Sequence, residues 1–406
     1  MKEVVRADDP RLAALIARQA TQHVDDDQLG LDPINALLEA LGRPHQHLPP
    51  VFHVAGTNGK GSTCAFLRAG LEAAGHRVHV FTSPHLVRYN ERIRLAGTLI
   101  GDAHLAEVIA RVLDANDTIG GSLFEVNTAA AFLAFAATPA DAVVLEVGLG
   151  GRLDATNVVA APLVTGIASI GLDHQHFLGD THAAIATEKA GIARRDIPLV
   201  CLSQPAEALV AIERVAAEAG APLLLEARDW PLDPSLIPAL PGAHQIRNAN
   251  LAWQMLAAQD RLPVPRAVFA KAIAAATWPA RFQRLADGEL TGGVETWLDG
   301  AHNPDAATAL AALLNARGPM HLVIGILAGK DAAAIVDILA PHALSLTFVP
   351  IPDHEAHEPR VLAARFDGRT AQSLEEALAT LPAPRLIAGS LYLAGTALAL
   401  NGERVD

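Results

Sequence analysis

The sequence predicts an α/β protein of two unequal units, each a largely parallel sheet with helices wound on its faces. Three observations predict it. Short apolar runs alternate with helix-period segments along almost all of the 406 residues, the pattern of strands joined by crossover helices. Residues 51–74 read as a strand, a glycine turn and a helix in immediate succession. A second alternating series follows the turn-rich stretch Asp287-Gly288-Glu289-Leu290-Thr291-Gly292-Gly293. A chain this long exceeds one typical core. The division expected is 1–287, a linker at 288–293, and a smaller Rossmann-like unit at 294–406.

The passage at 51–74 carries the chemistry. Val51 to Ala55 is apolar and reads as a buried strand, and 64–74 reads as a helix stopped by Gly75. Between them lies Gly56-Thr57-Asn58-Gly59-Lys60-Gly61-Ser62-Thr63. Glycines let backbone N–H groups close around an anion, and the helix start adds partial positive charge. Lys60 would reach terminal phosphates, and Ser62 or Thr63 offers a hydroxyl to a phosphate or Mg²⁺. Gly56 through Ser62 are therefore the expected nucleotide contacts. The loop departs from the standard phosphate-loop spacing, since Val54 stands where its first glycine would fall and Gly61 separates lysine from hydroxyl.

Composition narrows the partners. Half the residues are hydrophobic and 18% are charged, so a large core is available. The net charge of −13 disfavours nucleic acid and anionic membranes. Anionic substrates would need local cations, for which Lys60, Arg88, Arg92 and Arg94 are placed. The two cysteines, Cys64 and Cys201, form neither a disulfide framework nor a metal motif. The start of the chain lacks a secretory h-region, and no apolar run reaches about 18 residues. A soluble cytoplasmic protein is expected.

Taken in order, 10–20 and 33–41 have helical spacing, the latter with Asp32 and Pro33 as cap and first position. A strand at 76–81 ends at Thr82-Ser83-Pro84, where open α/β sheets place functional groups. Helices are expected at 102–113 and 123–136. The strand at 142–147 carries Glu146, and a carboxylate in an apolar strand is costly unless paired or bound to a cation; Mg²⁺ suits it. A strand at 163–170 ends in Asp173-His174-Gln175-His176, and a helix capped by Asp180 or Thr181 runs to Arg194. A βαβ unit at 197–226, a loop at 229–241 and a helix opened by His244 follow. In the second unit, strands fit 294–298, 321–326, 344–350 and 385–389, with helices at 304–316, 332–339 and 374–381. Its first strand ends at Asp299, whose carboxylate suits a ribose hydroxyl.

The glycine loop in this variant form resembles that of the Mur-ligase superfamily of ATP-dependent amide-bond-forming enzymes. Three further stretches are similar to signatures of the folylpolyglutamate synthase and dihydrofolate synthase family: Thr82 to Ile93, Glu146 to Asn157, and Asp299-Gly300-Ala301-His302-Asn303-Pro304. The resemblance implies a Mur-ligase-like fold, a phosphate-loop ATPase unit followed by the smaller one. It implies ligation of L-glutamate to dihydropteroate or folate through an acyl phosphate, by a monomer with only small-molecule partners. It implies two Mg²⁺ ions, Ser83 and Glu146 holding one and His174 the other. Lys60, Lys189 and His302 would be catalytic, Lys189 as a carbamate. Asn248 and Arg281 would contact ATP, and Leu29, Gly30, Arg88, Phe124, Asp154 and Asn157 the pterin-bearing substrate. The residues alone leave Phe124 equally a core aromatic and Lys189 equally a surface lysine. Two other functions stay open, a Mur-type ligase acting on a cell-wall nucleotide precursor and a nucleotide-driven switch without ligation.

Overall fold

In the computed structural model, residues 9–21 and 30–405 are described. Leu29 lies outside them. Helices α1 (Pro10–Thr21) and α2 (Asp32–Ala40) lead into β1 (Val51–Ala55), α3 (Lys60–Ala73) and β2 (Val78–Phe81). Strands β3 (Ile93–Leu95) and β4 (Thr98–Leu99) form a hairpin, followed by α4 (Asp102–Asn116), α5 (Leu123–Ala137) and β5 (Ala142–Glu146). Then come β6 (Val164–Ile167), α6 (Gln175–Leu178), α7 (His182–Ala190), β7 (Leu199–Cys201), α8 (Ala206–Ala219) and β8 (Leu223–Leu225). Helices α9 (Ala243–Ala257) and α10 (Arg266–Ile273) complete the first unit.

The eight-stranded sheet runs β4-β3-β2-β5-β1-β6-β7-β8, parallel from β2 to β8. Every residue of β1 and β5 is buried, as expected of parallel strands covered on both faces. Their side chains alternate. Val51, Val143 and Leu145 pack with Phe81 under α1, α2, α4 and α5. Phe52, Val54 and Val144 pack on the other face with Phe66, Met255 and Phe269 of α3, α9 and α10. Helices α3 and α10 meet closely at Gly70, where an added Cβ would lie 2.6 Å from the Phe269 ring.

The second unit comprises β9 (Gln283–Arg284), β10 (Thr296–Leu298), α11 (Pro304–Arg317), β11 (Met320–Ile324), α12 (Ala332–Leu339), β12 (Ala343–Phe348), α13 (Pro359–Phe366), β13 (Arg369–Thr370), α14 (Leu374–Ala379), β14 (Arg385–Ala388) and α15 (Leu391–Leu400). Its sheet order is β13-β12-β11-β14-β10-β9, with only β9 antiparallel. The second sheet thus begins at Gln283, ahead of the 288–293 stretch. The mixed α/β architecture with two sheets is the expected one. No helix among the described residues is long and apolar enough to cross a membrane.

Local differences from the sequence reading have physical causes. Helix α3 starts at Lys60, not Cys64, because Gly59 at φ 90° serves as its N-cap and Lys60 enters the first turn. Helix α7 stops at Ala190, not Arg194, with Gly191 as its C-cap. The hairpin of β3 and β4 turns on Ala96 and Gly97, both at positive φ, the geometry that matches strand twist.

Candidate active site

Strand β1 sits between β5 and β6, so the loop leaving its end emerges between the ends of its two neighbours. The loop is hooked to the segment after β6. Thr57 and Asn58 N–H groups donate to Ser169 O at 2.7 and 3.2 Å, and the Thr57 hydroxyl donates to Gly171 O at 3.0 Å. Gly59 is required by both conformation and space, since an added Cβ would lie 2.4 Å from Asn248 Oδ1. Asn248 therefore lies over the loop, its amide donating to Gln245. Lys60 Nζ folds back to donate to Gly56 O at 3.0 Å and Thr57 O at 3.3 Å. The Ser62 and Thr63 hydroxyls are buried without any hydrogen-bond partner.

Across from this helix start, Glu146 ends β5 and is 4% exposed. It accepts the Ser83 N–H at 3.2 Å, which joins two of the sequence-picked residues. Burial pushes its carboxyl up, with Lys60 the largest opposing charge. Ser83, Glu146, Gly61 and Arg281 line one cavity of about 70 Å³. A larger cavity of about 260 Å³ adjoins it at Leu86, walled by His354 and Tyr392 of the second unit. Among the described residues no three His, Cys, Asp or Glu side chains converge on a metal position. Two orphaned hydroxyls and a buried carboxylate nevertheless form the oxygen set that suits a divalent cation completed by phosphate and water.

The second unit closes over the loop. Asn58 and Asn303 exchange side-chain amide hydrogen bonds at 3.1 and 3.0 Å. Asn303 also caps α11 and donates to Asp173 at 3.1 Å. Asp173 takes the Lys330 ammonium as well, and His302 Nε2 lies 3.5 Å away. Burial would raise the Asp173 carboxyl, but the His302 contact and then the His174 and Lys330 charges outweigh it and hold it far below the carboxylate range. His302 is fixed on its other side, Nδ1 meeting Gly300 O at 2.9 Å. His174 follows Asp173 in the chain and is exposed. Asp299 accepts the Phe282 and Ala301 N–H groups, both at 2.8 Å, bracing the turn that carries Arg281. Arg281 is half-buried and faces Asp299 first and Glu146 second.

The remaining sequence-picked residues lie around this centre. Lys189 is 5% exposed; burial and then the Lys60 charge lower its ammonium to about 7. It is no surface lysine. Asp154 caps its own turn, accepting from Leu149 and Thr156 N–H groups, and Thr156 meets His53 Nε2 at 2.8 Å. Asn157 donates to Arg152 O and Gly191 O and accepts from Arg194. Both brace the loop, with their polar atoms engaged inside the protein. The Phe124 ring lies against Gly148, where an added Cβ would come within 2.3 Å, and tilts on Phe81. Arg88 reaches Val405 O at 3.4 Å. Among the described residues, none lies within 4 Å of a Cβ built on Gly30, just before α2. The sequence reading missed Asp173, Lys330, Asn303 and Glu91. Glu91 gathers the Leu86, Val87 and Arg88 N–H groups; the signal for it was a lone acid among arginines.

A glycine loop at a helix start, faced by a buried carboxylate and closed over by a smaller α/β unit, defines an ATP-dependent ligase of the Mur-type fold. No family model matches the chain. The folylpolyglutamate synthase of Lacticaseibacillus casei is 35% identical over 399 residues, covering 89% of this chain and 92% of that protein. The dihydrofolate synthase/folylpolyglutamate synthase of Escherichia coli (strain K12) is 36% identical over 343 residues, 79% of this chain and 78% of its own length. The chain belongs to the folylpolyglutamate synthase/dihydrofolate synthase family. Among solved structures, the bifunctional enzyme of Yersinia pestis complexed with AMPPNP and Mn ion has a TM-score of 0.86 at 32% identity, covering 98% of this chain and 99% of that one. Escherichia coli FolC in complex with DHPP and ADP has a TM-score of 0.84 at 30% identity, covering 98% of each chain.

Proposed function

We propose that this chain joins L-glutamate to dihydropteroate and to reduced folates at the expense of ATP, serving both reactions from one site. The observation that carries the reading is a helix start whose Lys60 charge acts on the buried Glu146 and whose Ser62 and Thr63 hydroxyls are buried without partners, beneath a second unit bonded to the loop through Asn303. A site that only bound nucleotide would not need the second unit's Asn303 bonded to its loop at Asn58. An oxygen of the acceptor carboxylate attacks the γ-phosphorus, and the bond to the ADP oxygen breaks, leaving an acyl phosphate. The glutamate amine then attacks that carbonyl, loses a proton and expels phosphate. Positioning and charge neutralisation supply most of the acceleration in such chemistry.

The chain's residues divide this work. Backbone N–H groups from Gly56 to Ser62 cradle phosphates, with Lys60 and Arg281 neutralising their charge and Asn248 holding the loop at Gly59. Asp299 retains acceptor capacity toward a ribose, and His302 stands at the unit junction where the amine donor enters. Ser83 and Glu146 would hold one Mg²⁺ and His174 a second. Such a cation, when bound, neutralises phosphate charge and aligns the transferring group. Phe124, Arg88 and Gly30 border the acceptor side, on a loop braced by Asp154 and Asn157. Lys189 is the group we read as a carbamate: near neutral pH an ammonium lowered to about 7 supplies the free amine that CO₂ needs. Counted from the ammonium, the modification releases two protons, one to free the amine and one as it adds CO₂, and turns a cation into an anion fit for a metal.

One assay tests the reading. Phosphate release is measured with dihydropteroate, with glutamate, and with both. Release that needs both supports ligation, and release with neither substrate identifies an ATPase and rejects it.

A further inference from the structure

The glycine loop departs from its kind at Gly61, which stands between Lys60 and the Ser62 hydroxyl. The standard loop places serine or threonine directly after lysine. Gly61 is a helical residue of α3 and has no positive φ to demand glycine. Contact demands it instead. The indole of Trp278 lies against Gly61, so that an added Cβ would fall 2.8 Å from Trp278 Nε1 and 3.0 Å from Cε2 and Cζ2. Where the standard loop carries a hydroxyl, this chain presents the nitrogen-bearing edge of an indole.

The ring is anchored in the same unit as the loop. Trp278 follows α10 and packs on the core that holds Phe66, Met255 and Phe269. The chain crosses to the second unit just beyond it. Ala280 O accepts the Gly300 N–H at 2.9 Å, and β9 begins at Gln283. Gly61, Trp278, Ser83, Glu146 and Arg281 line one cavity of about 70 Å³. The Trp278 N–H has no acceptor among the described residues. The two carboxylates of that wall are turned to backbone groups. Glu91 takes three N–H groups of the 86–88 loop, and Glu146 takes the Ser83 N–H.

An indole N–H donates and has no lone pair to offer. It cannot ligate a cation, as a hydroxyl in its place could. It answers only an acceptor, and beside the Arg281 guanidinium the fitting acceptor is an anionic oxygen. On the ligase reading above, we infer that Trp278 Nε1–H contacts the substrates, donating to an oxygen where the acceptor carboxylate meets the transferring phosphate. Two groups bring such an oxygen to the cavity, the reacting carboxylate and the terminal phosphate of ATP. A donor on a ring packed in the core keeps its aim while charge moves between them, which is what makes a preorganised donor effective.

The experiment replaces Trp278 in the full chain by benzothienylalanine, which exchanges Nε1–H for sulfur and keeps the bicyclic shape, with Trp278→Ala as a second variant. Steady-state ligation gives kcat and the KM for dihydropteroate, and calorimetry gives the Kd for AMPPNP. Loss of a hydrogen bond to a charged group costs roughly tenfold or more. A rise of that size in the dihydropteroate KM with the AMPPNP Kd unchanged supports the inference and assigns the carboxylate. A rise in the AMPPNP Kd supports it and assigns the terminal phosphate. A matching fall in kcat with both constants unchanged supports it and assigns an oxygen that gains charge during transfer. A folded isostere variant with all three at parent values overturns it, and a loss then confined to Trp278→Ala leaves the indole a matter of shape alone. A parent chain without acceptor-dependent phosphate release rejects the ligase reading itself, which keeps the two failures apart.

Discussion

At the scale of single residues, Lys60 and His53 carry opposite lessons. Lys60 holds its charge within its own loop: its ammonium rests on two carbonyls there, contacts that a γ-phosphate would replace. Lys60→Ala is expected to lower kcat by about two orders of magnitude or more, as for loss of a key electrostatic donor, with the thermal midpoint little changed. Near-normal turnover by a folded variant would reject the role. His53 is held neutral instead. Burial, then the Arg194 charge, lowers it to about 3, while an unfolded histidine titrates near about 6.5. Between those values the unfolded chain binds a proton that the folded chain refuses, so stability is full above about pH 6.5 and falls as pH drops. From pH 7 to 5 the loss from this group is about 2 kcal/mol. Urea midpoints of the parent and His53→Gln over that range should converge as pH falls, because glutamine can keep a donor to Thr156 without the proton. Parallel pH profiles would disprove the linkage.

At the scale of elements, one buried arginine does much to tie the second unit to its entry segment, beside Asn401 and Glu403. Arg385 begins β14 and is 2% exposed. It donates to Thr296 Oγ1, Leu378 O, Thr291 O and Val294 O, so the 288–294 stretch is held to the sheet rather than left as a free tether. Arg385→Met fills similar space but strands those acceptors. A loss of roughly 3 kcal/mol or more is expected, read as a lower denaturation midpoint of the chain. A change below about 0.5 kcal/mol, the scale of surface substitutions, would show that water replaces the guanidinium. The legibility of elements follows the same logic. Runs such as Val51 to Ala55 and Ala142 to Glu146 were readable because every position but His53 and Glu146 is apolar. Helices α10 and α13 were not, since they bury only Phe269 with Ile273, and Leu362, too little to set a period. Site residues with local signals, such as Lys60 in its glycine loop or Glu146 in its strand, could be named from sequence. Asp173 could not, because what makes it central is contact with Asn303 and Lys330, more than a hundred positions away.

At the scale of the whole molecule, that contact decides how the two units stay together. Asp173 comes from the first unit, and His302, Asn303 and Lys330 from the second. Asn303 also grips Asn58 of the phosphate loop, so closure of the units and the shape of the loop are one event. Contact between units is ordinarily loose enough for motion, and here a buried ion pair gives it a preferred state. Removing Asp173 leaves the Lys330 charge without its carboxylate, and removing Lys330 leaves the Asp173 charge to His302 and Asn303 alone; breaking a pair this way costs more than the pair itself contributes. Lys330→Met and Asp173→Asn are each expected to lower kcat/KM about tenfold or more, at roughly 1.4 kcal/mol per factor of ten. The double variant should be no worse than the poorer single one, because the second change then relieves a strain already present. Steady-state rates of the parent, both single variants and the double variant measure the coupling. If the two effects simply multiply, Asp173 and Lys330 act independently and the pair does not hold the units closed.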